Sequence, residues 1–176
     1  MRRKNALIKL SGNVIDHPQA LSRIKELSAE YAVVICTGGG EQINAAFVRE
    51  EFPIKFGPFG RVTETFRQRQ VARDELERNQ AEVQDRLAEA GISATVIIPV
   101  LNEEIGTVIC HINADLYPIM AYNGFDLIEV FTLESRRKKK EQFYSDLWDF
   151  FVKVGGEGID PSVPNRIRVV GFPEKE

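Results

Sequence analysis

Hydrophobic positions fall into short runs separated by amphipathic stretches, and that alternation sets out the fold. Asn5 to Leu10 reads as a short buried strand, closed by a turn at Ser11-Gly12-Asn13. Leu21, Ile24, Leu27 and Tyr31 then recur at helical spacing behind Pro18, whose fixed φ suits a first helical turn. Ala32 to Cys36 are five consecutive apolar residues, mostly β-branched, which predicts a second strand buried on both faces. Gly38-Gly39-Gly40 follows, and Glu41 to Glu50 reads as a helix. Short apolar strands alternating with amphipathic helices predict an α/β protein: a three-layer α-β-α sandwich around a mainly parallel central sheet.

Phe52 to Gly60 is rich in Pro, Gly and Phe and reads as a loop, its phenylalanines either lining an acceptor pocket or pinning the loop to the core. Thr63 to Ala90 predicts one long helix ended by Gly91. Its apolar stripe (Phe66, Val71, Leu76, Val83, Leu87) is thin, as in helices that cross a domain or lie at a subunit contact. Ala94 to Val100 and Ile105 to His111 predict two further strands around the acidic turn Asn102-Glu103-Glu104. Asn113 is placed to cap a helix towards Asn123, which Pro118 keeps short or bent. Phe125 to Thr132 reads as a strand and Glu134 to Val154 as a helix with Phe143, Leu147, Phe150 and Phe151 in its second half. A Gly/Pro-rich loop over Gly155 to Asn165 and a last strand over Arg166 to Gly171 complete the chain. There is no internal repeat and no domain boundary, so residues 1–176 read as one domain.

Composition narrows the function classes. The chain is 43% hydrophobic and 28% charged, ordinary for a globular protein. A net charge of −3 argues against a general nucleic-acid binder. No apolar run approaches the ~20 residues of a membrane span, and Ala6 to Leu10 behind Met1-Arg2-Arg3-Lys4 is too short for a signal peptide. Cys36 and Cys110 read as core residues of a reduced, cytoplasmic protein. His17 and His111 offer no metal-ligand spacing.

Candidate chemistry sits at the strand ends. A strand that runs through glycines into a helix leaves backbone N–H groups free, and Gly38, Gly39 and Gly40 put no side chain in an anion's way. A tight turn without a ligand is the other reading. Lys9, close to the end of an apolar strand, either snorkels at the sheet's rim or reaches for a negative ligand. Ligands collect at the carboxyl ends of parallel strands, so Lys9 and Gly12 share a pocket with the glycines if their strands are neighbours. Arg61, Arg67, Arg69 and Arg73 read as solvated or paired charges, with Arg61 and Arg67 best placed to meet a ligand. Asp115 suits the positive end of a helix dipole. Arg136-Arg137-Lys138-Lys139-Lys140 opposes the dipole of its own helix, as a solvated face or as a polyphosphate-binding surface.

Three of these segments stand in a recognisable order: Ile8-Lys9-Leu10-Ser11-Gly12-Asn13, then Thr37-Gly38-Gly39-Gly40 with Gln42-Ile43-Asn44, then Asn113-Ala114-Asp115. Leu87-Ala88-Glu89-Ala90-Gly91-Ile92 lies between the second and the third. In these residues the chain resembles the amino acid kinase family, which includes acetylglutamate, carbamate, aspartate, uridylate and isopentenyl phosphate kinases. The resemblance implies transfer of ATP's γ-phosphate to a small anionic metabolite (a carboxylate, carbamate or phosphate), with Mg²⁺ bridging the ATP phosphates and no metal ligand from the protein. It implies that Lys9 stabilises the moving phosphoryl group, that Gly12 and Gly38 to Gly40 hold it through backbone N–H groups, and that Asp115 organises the site. Asn13, Asn44 and Asn113 lie in the matching segments and count as phosphate or substrate contacts, together with Arg61 and Arg67. A homodimer or higher homo-oligomer is expected from the family.

The C-terminal end departs from the family pattern. Where the family has a Thr-Asp-x-Asp-Gly-like turn, Phe131-Thr132-Leu133-Glu134-Ser135 runs straight into the basic helix. Gly155-Gly156 has no lysine after it to stand for the family's second active-site lysine. Residues 1–112 thus read as an acceptor-binding part and 113–176 as a reduced nucleotide-binding part, with Thr132, Arg136, Arg137 and Lys138 as nucleotide contacts. Either the basic run replaces the missing phosphate contacts or ATP binding is lost. In the second case the chain is a non-catalytic anion- or nucleotide-binding protein, a sensor, store or regulatory member of the same fold.

Overall fold

Five parallel strands make up the middle layer of the protein. Its computed structural model describes residues 3–57, 60–102, 108–111, 113–155 and 166–174, with the backbone alone at 100–102, 108–111, 151, 154 and 155. The first half of the chain runs β1 (Lys4–Leu10), α1 (Pro18–Glu30), β2 (Tyr31–Thr37), α2 (Gly40–Arg49), β3 (Lys55–Gly57), β4 (Gly60–Val62) and α3 (Phe66–Glu89). The second half runs β5 (Ala94–Ile97), β6 (Val100–Asn102), β7 (Val108–His111), α4 (Tyr117–Met120), β8 (Leu127–Leu133), α5 (Glu134–Gly155) and β9 (Ile167–Phe172). The sheet order is β5-β2-β1-β8-β9, and every pairing in it is parallel.

Side chains alternate across this sheet and define the outer layers. Ala6, Ile8, Leu10, Val33, Ile35 and Phe131 pack with Ile24 and Leu27 of α1 and with Val83 and Leu87 of α3. Leu7, Cys36, Ile128 and Val130 face the opposite way, towards Ala114, Ile119 of α4 and Tyr144, Leu147 and Trp148 of α5. The result is the three-layer α-β-α sandwich that the strand and helix pattern predicts. β1 leads through α1 on one face to β2, whereas β8 leads through α5 on the other face to β9. The chain therefore reverses its winding between β1 and β8, and a crevice opens at their carboxyl ends.

The first half of α3 fills a second cluster, Val71, Ala72 and Leu76 against Ile43, Ala46 and Phe47 of α2. The buried face of α3 also includes Gln68, Glu75 and Asn79, so its stripe is continuous and not thin. A capping box between Thr65 and Gln68 starts the helix. Glu75 pairs with Arg49 and Arg78, whereas Asn79 and the half-buried Gln80 and Gln84 bond to the sheet. Asn79 Nδ2 donates to Thr37 Oγ1 (3.1 Å) and Gly38 O (2.5 Å). Gln80 Nε2 donates to Val96 O (2.6 Å), while Gln84 donates to Ala94 O (3.0 Å) and accepts from Val96 N (3.0 Å). These glutamines cover the outer edge of β5.

Several sequence expectations are corrected. The segment read as a loop up to Gly60 contains one strand of the short antiparallel hairpin β3–β4, with residues 58–59 outside the described set. The single strand expected over Ala94 to Val100 ends at Ile97, ahead of Pro99, which has no N–H for a ladder. β6 and β7 form a separate antiparallel hairpin, not part of the parallel sheet. Of the helix expected from Asn113 to Asn123, one α-helical turn at Tyr117–Met120, with Pro118 at its start, and a 3₁₀ turn at Tyr122–Gly124 form. Residues 1–2, 103–107, 112, 156–165 and 175–176 lie outside the described set, including Glu103, Glu104, Gly156 and most of the Gly/Pro-rich loop; so do the side chains of Cys110, His111 and Phe151.

Candidate functional site

Lys9 is 5% exposed, and its place on β1 explains why. It shares a face with Leu7, between Cys36 of β2 and Val130 of β8 in register. Its Nζ therefore emerges at the crevice, where it donates to Ser11 Oγ (3.0 Å) and lies 2.6 Å from Asp115 Oδ1. Asp115 is presented by a turn in which its own N–H bonds back to Asn113 Oδ1 (3.1 Å). Its other carboxylate oxygen accepts from Nζ of Lys140, which reaches in from α5.

One carboxylate thus bridges two ammonium groups at the foot of a cleft of about 330 Å³. Burial alone would raise the Asp115 carboxyl, but Lys9 and Lys140 outweigh it and hold it below the usual carboxylate range. Burial pushes the Lys140 ammonium down, the charge of Lys9 adds to that, and Asp115 offsets it in part. Burial also pushes the Cys36 thiol up to about 12, which keeps this core cysteine a neutral thiol. Two ammonium groups on one carboxylate give the bridge a formal net charge of +1 in a partly desolvated place.

The glycine loops form the cleft's facing wall. Gly12, Asn13, Gly38, Gly39 and Gly40 all line it. The Gly38 N–H is not free for a ligand, because it donates to Leu10 O (3.3 Å) and extends the β1–β2 ladder. The amides of Gly40, Glu41 and Gln42 open α2 and have no acceptor within the helix, which leaves them as donors at its N-terminus. Gly39 is small for packing: a Cβ there would lie 3.1 Å from Leu76 Cδ2. Gly12–Val14 forms a short 3₁₀ turn on the other side.

Arg61 closes the mouth of the cleft. Its guanidinium lies 5.1 Å from the ring centroid of Phe47 and 4.9 Å from that of Phe56. Its Nη2 donates to Gly40 O (3.1 Å) and Asn44 Oδ1 (2.5 Å), while Nη1 is buried without a partner. Burial pushes its pKa down. β4 carries Arg61 beside Gly60, whose φ of +122° and close approach to Asn113 leave no room for a Cβ.

The structure therefore gathers Lys9, Gly12, Asn13, Gly38, Gly39, Gly40, Arg61, Asn113, Asp115, Thr132 and Arg136 around one cleft. Asn44 stands behind it, holding Arg61. Three expected residues lie elsewhere. Arg67 is exposed and pairs with Glu50 (3.1 Å). Arg137 pairs with Glu134 (3.3 Å) and Glu141 (3.7 Å) on another face of α5. Lys138 is exposed and outside the lining. Lys140 was hidden within the basic run, yet its position had a signature. Moving four residues at a time towards the helix start from the apolar Trp148 and Tyr144 reaches Lys140 and then Arg136, the two cations of the run that line the cleft. Among the described residues no cluster of three or more metal-ligating side chains occurs, and no helix is long and apolar enough to cross a membrane.

No protein-family model matches the sequence, and no curated protein does. The crystal structure of smu.665 from Streptococcus mutans UA159 is similar over 74% of this chain and 73% of that one, with a TM-score of 0.63 and 19% identity. That likeness establishes the α/β sandwich. Two crystal structures of N-acetylglutamate synthase from Neisseria gonorrhoeae, with coenzyme A and either N-acetylglutamate or L-arginine, match at TM-scores of 0.48 and 0.47 and identities of 13% and 10%. Each aligns with 76% of this chain, which spans 42% and 44% of theirs, and at that level the match is too distant to bear on the site.

Proposed function

We propose that the chain is a small-molecule phosphotransferase that moves the terminal phosphate of ATP to an anionic metabolite. The observation that carries this proposal is the Lys9–Asp115–Lys140 bridge at the foot of the cleft. Phosphoryl transfer asks a protein for positioning and for neutralisation of charge spreading over three oxygens, more than for covalent chemistry. Two ammonium groups fixed by one carboxylate, facing the N-terminal amides of α2, meet that demand. Lys140 takes the part of the second lysine that the resemblance lacks after Gly155. Arg61 is suited to the acceptor's own negative group.

In the reaction the bond from the terminal phosphorus to the bridging oxygen of the donor breaks, and its electron pair stays on that oxygen. An anionic oxygen of the acceptor forms the new bond, so no proton has to move. Lys9 and Lys140 bear on the phosphoryl oxygens, and Asp115 keeps the two ammonium groups from drifting apart. The deep carboxylate of the cleft is already saturated by these lysines, so Mg²⁺ fits this site as a passenger on the donor's phosphates.

Lys9→Met and Lys140→Met are each expected to lower turnover by at least about 10²-fold, the usual loss for one charge-stabilising contact. An ADP-release assay over a panel of carboxylate, carbamate and phosphate acceptors measures this, and unchanged turnover in either variant rules the mechanism out. A second proposal, a non-catalytic anion store or sensor, draws on one observation: β8 passes into α5 with no loop between them to build a nucleotide lobe. Thermal stabilisation by acceptors with none by Mg·ATP favours it.

A further inference from the structure

The start of α5 forms a second polar corner of the cleft, beside the bridge. Leu133 ends β8 and Glu134 begins the helix, so the first-turn amides open directly at the crevice. Ser135 N is turned to Glu174 (3.4 Å). Beneath this turn Thr132 lines the cleft, is fully buried, and keeps its Oγ1 without a hydrogen-bond partner. Buried hydroxyls are normally satisfied, and this one points to a group that is to come. Arg136 lines the same corner and makes no ion pair among the described residues, unlike its neighbour Arg137. Lys140 stands one helical turn further on.

The described lining of this corner bears on what it holds. A nucleobase is read by an apolar or aromatic slot with a few fixed polar groups. Among the described residues the apolar lining of the cleft comes from Ile43, Phe56, Leu76, Pro99 and Ala114, none of them on β8, α5 or β9. The described residues around Thr132 and Arg136 offer charge, amides and a hydroxyl, and nothing to stack on. β9 begins at Ile167, opposite Ile128 and so at the far end of the parallel sheet from Thr132.

We propose that the phosphoryl donor is a linear triphosphate gripped by its phosphates alone, through Thr132 Oγ1, the first turn of α5, Arg136 and Lys140, with the base unread. This rests on the phosphoryl-transfer proposal above. It makes the four nucleoside triphosphates equivalent and inorganic tripolyphosphate a competent substitute that leaves as pyrophosphate.

The test is calorimetric titration of the full chain, with magnesium, by ATP, GTP, CTP, UTP and tripolyphosphate, alongside turnover with each. The five ligands are expected to bind within about 10-fold of one another, whereas a base-reading site separates bases by about 10² or more. Thr132→Val keeps the shape, removes the hydroxyl, and is expected to weaken all five by about 10-fold with no loss of thermal stability. Arg136→Gln, at an exposed position, checks the same corner without touching the core. ATP binding at least 100-fold tighter than the other bases, failure of tripolyphosphate to bind, or unchanged affinity in both variants overturns the proposal. Equal binding of all five without phosphorylation of any acceptor keeps the phosphate-gripped site and removes the transferase proposal instead.

Discussion

Asp115 is the residue on which the others depend, and acid should expose that dependence. Its carboxyl is held below the usual range when folded, against about 3.9 in an unfolded chain. The ionised group therefore contributes its full stability above about pH 4, and the contribution fades as pH falls through the lower folded value. Asp115→Asn is expected to be less stable at pH 7 and to lose less on acidification, as read by melting temperature from pH 7 to about pH 2. Asp115→Ala, which leaves two ammonium groups uncompensated, is expected to cost about 3–5 kcal/mol in urea unfolding. Lys140 carries the opposite sign: folding resists its charged form, and that cost is relieved as pH rises past its lowered folded value. Lys9 was legible as an ionisable residue near the end of an apolar strand, whereas Asp115 stood out through the Asn113-Ala114-Asp115 segment of the resemblance, since the helix it was expected to open starts only at Tyr117. Lys140 was less so. Five cations in a row point five ways around a helix, and the sheet decides which of them turns inward.

Among the elements, the β3–β4 hairpin was the least legible and bears directly on the site. Its strands are three residues each, too short for an alternating pattern to register, and its Pro, Gly and Phe content reads as loop. It nevertheless carries Arg61 to the cleft, and it does so by pressing Gly60 against Asn113. Gly60→Ala puts a Cβ 2.9 Å from that of Asn113 at a φ of +122°. The expected cost is about 1–3 kcal/mol, with a several-fold loss of acceptor affinity, because the same contact positions Arg61. Gly124→Ala, where a Cβ meets nothing within 4 Å, is the control and is expected to change neither. Chemical denaturation and acceptor titration on the two variants distinguish the site-linked glycine from the indifferent one. α3 shows a related effect: its stripe looked thin because Gln68, Glu75 and Asn79 were counted as surface residues, whereas all three are buried.

For the molecule as a whole, the layer architecture was the easiest thing to read, since short apolar strands alternating with helices allow few arrangements. The order of strands was not readable, because nothing in the run Leu127 to Leu133 announces that it inserts beside β1 and not beside β5. That insertion creates the switch in winding direction and brings Thr132 and α5 to the same crevice as Lys9. The likeness to smu.665 supports this architecture independently of the site.

The glutamine side chains of α3 have a bearing beyond the cleft. By bonding to Ala94 and Val96 they occupy backbone groups that a foreign strand would otherwise use, so growth of the layer on that flank is blocked. Replacing Gln80 and Gln84 together by leucine removes the block and leaves an unpaired, greasier border. Time-resolved light scattering on the double variant should then rise with concentration under conditions where the parent solution stays clear.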